Sequence, residues 1–126
     1  MKPLIIIASV LTFIIVFGML SLDYLHTESK ILVNHLDKLE MHVTEKSWLE
    51  AEKSFEVFNK KWSSSSKNYL MLIAHKEVDS INISLSELGA YINNKEPAQA
   101  QAKLAALRIL LEHLPEKESL TLKNIF

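Results

Sequence analysis

The chain has no cysteine. That excludes a disulfide framework, thiolate zinc sites, cysteine nucleophiles and a lipoprotein anchor. Glycine occurs only at Gly18 and Gly89, and proline only at Pro3, Pro97 and Pro115. So few helix breakers, among many Leu, Ala, Glu and Lys residues, imply an all-α chain. Acidic residues are absent before Asp23, and Lys2 is the only basic residue before that point. The remainder carries 13 basic and 15 acidic groups, a net of -2. Such a balance lacks the clustered basic face that nucleic acid requires, and it is no acidic tail. A chain of 126 residues is enough for one domain, resting here on its hydrophobic core alone.

The longest uncharged stretch is LIIIASVLTFIIVFGMLSL, Leu4 to Leu22. As a helix it covers roughly 28 Å, close to the hydrocarbon thickness of a bilayer. Lys2 and the amino terminus are positive on one side, and Asp23 and Glu28 follow on the other. The positive-inside tendency puts the N-terminus in the cytoplasm and residues 23–126 outside, with Tyr24 as an interfacial anchor. A cleaved secretory signal is the competing reading. Its core would be shorter, and the nearest cleavage pattern, Val16-Phe17-Gly18, lies inside the apolar run. The run is apolar all round, which sets it apart from a striped core helix.

Beyond Leu22, four stretches place apolar residues on one helical face. They are Leu25, Leu32, Leu36, Leu39 and Val43; Trp48, Ala51, Phe55, Phe58 and Trp62; Met71, Ala74, Val78, Ile81, Leu85, Leu88 and Ile92; and Ala100, Leu104, Leu107, Leu111 and Leu114. No breaker separates the first from the apolar run, so the span is expected to continue outward as one helix. Polar Thr44 to Ser47 ends it. Ser63 to Ser66 reads as a loop and cap, Pro97 as the first turn of the fourth helix, and Pro115 as its end. The tail, 120–126, is expected to pack back on the domain. Short connections favour antiparallel neighbours, giving a four-helix bundle whose first helix is fused to the membrane span. The third helix would run about 27 residues and the second only about 24 Å, unless the third bends, overhangs or begins later. Gly89, Ala90 and the alanines from Ala98 to Ala106 suggest close approach of the third and fourth helices.

Two strings carry a resemblance. One is His75-Lys76-Glu77-Val78-Asp79-Ser80-Ile81, with Ser84, Leu88, Tyr91 and Ile92 after it. The other is Leu111-Glu112-His113-Leu114-Pro115-Glu116-Lys117-Glu118, with Leu120 and the closing Asn124-Ile125-Phe126. With the apolar N-terminus and the Trp48 and Trp62 pair, the chain resembles domain-of-unknown-function family 4363 over nearly its whole length. The resemblance implies a small single-span protein of a spore-forming Gram-positive bacterium. It also implies the company of a multi-span membrane protein of the YetF-like class, and no established activity. The serine run at Ser63 is not a feature associated with the family.

Titratable residues are the remaining source of chemistry: His26, His35, His42, His75, Glu77, Asp79, Glu112, His113 and Glu116. His75 and Asp79 are one turn apart and share a face, while Glu77 falls on the other flank of the apolar stripe. A ligand site would draw on His75, Glu77, Asp79, Glu112 and His113. No metal spacing of the His-Glu-x-x-His or Glu-x-x-His kind occurs. The plainer reading makes His75 and Asp79 a polar face, pairs Glu77 with Arg108 or Lys103, and has His113 cap its helix. His26, His35 and His42 would be solvated rather than a pH-responsive stripe. Trp48, Phe55, Phe58 and Trp62 would pack in the core or line a ligand pocket. No Ser-His-acid arrangement or phosphate loop is present, so no enzyme, cofactor or metal is expected. The expected role is an interaction module, an accessory or scaffold subunit of a membrane protein. The alternative is an extracytoplasmic small-ligand or metal binder.

Overall fold

The computed structural model describes the backbone of residues 1–72 and 75–125, and the side-chain surroundings of residues 1–70 and 75–115. Met71 and Ala74 of the third stretch, Glu116, and the packing expected of the tail lie outside the described side chains. Four helices follow one another: α1 (Lys2–Thr44), α2 (Trp48–Leu72), α3 (His75–Asn93) and α4 (Pro97–Ile125). Each packs on its chain neighbours, and α4 returns to α1, so the helices run up-down-up-down around one core.

α1 is unbroken over 43 residues. From Leu4 to Phe17 its side chains are all exposed. Further on, Leu25, Leu32, Leu36, Leu39 and Val43 are fully buried. They meet Ala51, Phe58 and Trp62 of α2, Val78 to Ile92 of α3 and Ala100 to Leu114 of α4 in a single core. Burial starts before the expected boundary at Leu22, because Gly18 and Ser21 are already covered.

Helices α1 and α3 end in the same way. Lys46 and Lys95 take left-handed conformations, with φ of 58° and 55°. The next amides, of Ser47 and Glu96, donate back to the carbonyls of His42 and Tyr91. These are Schellman turns with lysine where glycine is the usual occupant. Pro97 opens α4, where its missing N–H costs no hydrogen bond.

Three expectations are corrected. Ser63 to Ser66 is helical, inside α2. Ser65 is buried and donates to Glu28 of α1 at 2.7 Å, while Ser66 donates to the Ser63 carbonyl. Tertiary and local bonds thus outweigh the modest helix propensity of serine. The apolar residues before His75 belong largely to α2, which has 25 residues against 19 for α3. Pro115 lies within α4. Its ring removes the donor that would serve the Leu111 carbonyl. Ser29 of α1 supplies one instead, its hydroxyl donating to Leu111 O at 2.6 Å in a buried position. With the helix continuing, His113 has no last carbonyls to cap.

Candidate functional site

α2 and α3 share the least extensive contact of the four helix pairs. Between them lies a groove of ≈ 640 Å³, lined by Phe55, Asn59, Trp62, Ser63 and Ser66 from α2 and by Asn82, Leu85, Ser86 and Gly89 from α3. Trp62 is 3% exposed and its indole N–H donates to Asn82 Oδ1 at 2.7 Å, tying the two walls together. Gly89 lets Phe55 come close: a Cβ there would stand 2.9 Å from Phe55 Cζ. This glycine therefore serves the approach of α3 to α2, not to α4 as its position beside Ala90 had suggested. Among the described residues no acid, base or cation lines the groove. It offers aromatic surface, amides and hydroxyls, which suits binding rather than proton transfer.

A second hollow, of ≈ 380 Å³, lies between α1 and α4 and is lined by His26, Ser29, Lys30, Val33, Asn34, Glu112 and Pro115. Above it, Arg108 of α4 grips α1 through Asp37 and through Glu40 at 2.6 Å. The hydrogen bond to Asp37, with help from Glu40, raises the Arg108 pKa further. A third polar cluster joins α1 to α2. Glu28 accepts from Ser65 and pairs with Lys61 at 3.3 Å, and Asn68 donates to the Tyr24 hydroxyl at 2.8 Å. Tyr69 packs between Tyr24 and Trp62, fully buried, and its hydroxyl has no hydrogen-bond partner among the described residues. Burial, then the nearby Glu28 charge, push its phenol up from the ordinary value of 10.0.

The residues singled out from sequence are scattered by comparison. His75, Asp79, Glu112 and His113 are exposed and Glu77 is half-buried. Only Glu112 among them lines either hollow. Among the described residues no group of three or more His, Asp or Glu side chains is placed to hold a metal ion. Of the two cations expected near Glu77, Lys103 holds Glu87 at 3.0 Å and Arg108 holds the α1 carboxylates. His26 is exposed, and His35 and His42 are half-buried. Of the aromatic set, Phe55 and Trp62 line the groove, Phe58 is wholly core, and Trp48 packs against the core's edge. The uncharged groove residues Asn59, Asn82 and Ser86 carry no sequence signal, since nothing in their spacing separates a groove rim from a solvated face.

The model of the domain-of-unknown-function family DUF4363 matches residues 19–125. The chain belongs to this family. The matched region begins at Met19. No curated protein and no solved structure matches the chain.

Proposed function

We propose that this DUF4363 chain is a single-span membrane protein whose helical bundle stands on the extracytoplasmic side and serves as an interaction module for a multi-span membrane protein. The observation that carries the reading is the unbroken α1, exposed and apolar through Phe17 and built into the core beyond Leu25. A bundle joined in this way to a span is held at the bilayer, not swung on a linker. The two hydroxyls within the exposed stretch support it: Ser9 and Thr12 donate to the carbonyls of Ile5 and Ala8, each at 2.8 Å. Neither hydroxyl then needs water, as hydrocarbon demands. Ala8, Ser9 and Thr12 also form a face of small side chains beside Phe13, where a partner helix can approach closely. The groove between α2 and α3, without titratable lining, fits a binding role better than a catalytic one.

The alternative built on His75, Glu77, Asp79, Glu112 and His113 has less support, since four of the five face solvent. A photo-crosslinking residue in place of Phe13, activated in native membranes, tests the proposal. The expected product is one discrete adduct with a multi-span protein. Adducts with lipid or with second copies alone would overturn the partner reading. Glu50→Cys labelling by an impermeant maleimide in intact cells reports the side on which the bundle stands, and protection there would reverse the topology.

A further inference from the structure

Apart from Gly18, the apolar run is exposed from Leu4 through Leu20. Leu4 to Leu22 supplies about 28 Å of helix, against roughly 30 Å of hydrocarbon. Near its end Gly18 and Ser21 are buried, while Met19 and Leu20 between them are exposed.

The register of α2 shows that the bundle extends into this zone. Ser65 bonds Glu28 and Asn68 bonds Tyr24, so α2 descends beside α1 toward the run. It continues to Leu72. Four residues past Asn68 add about 6 Å, which brings its end level with about residue 20 of α1. α4 descends as well: its Leu111 is level with Ser29, and its backbone continues to Ile125.

The chemistry of the α2–α3 end matches that depth. Leu70 is 38% exposed. From Asn68 to Ala74 the sequence carries no charge, and Lys67 precedes and Lys76 follows this stretch. Both lysines are exposed. An apolar end with a basic collar is the pattern of a group seated among lipid headgroups, its lysines reaching out to phosphate. Beside a span, and level with its last turn, the surface such an end meets is lipid.

We infer that the α2–α3 end of the bundle lies in the outer interface of the bilayer, with Leu70 against acyl chains and Lys67 and Lys76 at the phosphates. This deepens the single-span reading and rests on it.

The cysteine-free chain allows a direct test. Full-length Phe13→Cys, Leu70→Cys, Lys67→Cys and Leu49→Cys variants are labelled with an environment-sensitive fluorophore. They are reconstituted in phosphatidylcholine–phosphatidylglycerol vesicles containing lipids spin-labelled at set depths. Leu49 is exposed in the first turn of α2, at the far end of the bundle. The expected order is quenching of the position 13 label by deep labels, of 70 by shallow acyl labels and of 67 by headgroup labels. Position 70 should be quenched several-fold more than position 49. Should the Leu70 variant not fold, the exposed Lys67 position carries the same comparison. Positions 70 and 67 as weakly quenched as 49, with 13 strongly quenched, would overturn the inference and leave the span intact. Weak quenching at 13 would remove the span reading and the inference with it.

Discussion

From Leu4 to Phe17 every side chain of α1 is exposed, whereas from Leu25 to Val43 the same helix buries a side chain at each third or fourth position. The two halves differ in pattern, not in backbone. The lower half is apolar on all faces and needs no partner stripe in a bilayer. The upper half is a stripe, and its stability comes from the helices packed on it. Deleting equal apolar groups from the two halves should therefore give unequal results. Leu36→Ala should lower unfolding stability in micelles by about 2–5 kcal/mol. Leu11→Ala should change it by less than about 0.5 kcal/mol, since Leu11 is half exposed and outside the described core. Equal losses in denaturant titrations would erase the distinction.

The stripe has one polar member, and it sharpens the comparison next. Ser29 stands between Leu25 and Leu32 on the buried face, where its hydroxyl serves the Leu111 carbonyl that Pro115 leaves open. Ser29→Ala should cost about 1–3 kcal/mol, the penalty of an unsatisfied buried carbonyl. Adding Pro115→Ala should recover most of it, because residue 115 then regains an N–H for Leu111. Strictly additive effects in this double-mutant cycle would argue against the compensation.

Where the two halves meet, Tyr69 buries a hydroxyl with no partner among the described residues. Tyr69→Phe should leave stability unchanged or raise it by about 1 kcal/mol, since no bond is lost and a desolvated polar atom is removed. The pH dependence has a definite sign. The folded phenol titrates above its ordinary 10.0. Above that value the unfolded chain loses its proton first, so stability is present at lower pH and falls as pH rises. The Phe variant should lack this component of the alkaline decline in melts run between pH 9 and 12. The smallest effect is expected at Arg108, which grips the upper half from outside. Arg108→Met should cost less than about 1 kcal/mol, and less again in high salt, as partly exposed ion pairs do.

Much of the fold could be read from spacing. The continuous α1, the polar break at Thr44 to Ser47, the opening of α4 at Pro97 and the four stripes rest on local chemistry. The errors came where a distant residue overrides a local preference. Serines at 63–66 look like a loop until Glu28 is placed beside Ser65. Pro115 looks like a stop until Ser29 is placed beside Leu111. That second case did leave a trace: the first stripe lacks an apolar residue at position 29, and a proline stands four residues after Leu111. The groove was half legible. Phe55 and Trp62 stand out as aromatics, but which face of α2 opens depends on how far α3 stands off, and that is set by Gly89 against Phe55. The histidines and carboxylates drew notice by chemical type alone, and type does not dictate convergence.

On the proposed single-span reading, the one-piece α1 would also tie the bundle's position to the thickness of the bilayer. A span that tilts by about 20° to fit a thinner membrane carries the rest of the helix with it. Thr44 lies about 33 Å beyond Leu22, so such a tilt displaces the far turn sideways by about 11 Å. A helix with a flexible joint at Asp23 would absorb that motion. Here there is no joint, and on the proposed single-span reading α1 would act as a lever whose short arm lies in lipid and whose long arm would move Lys46 and Lys95 across the membrane plane.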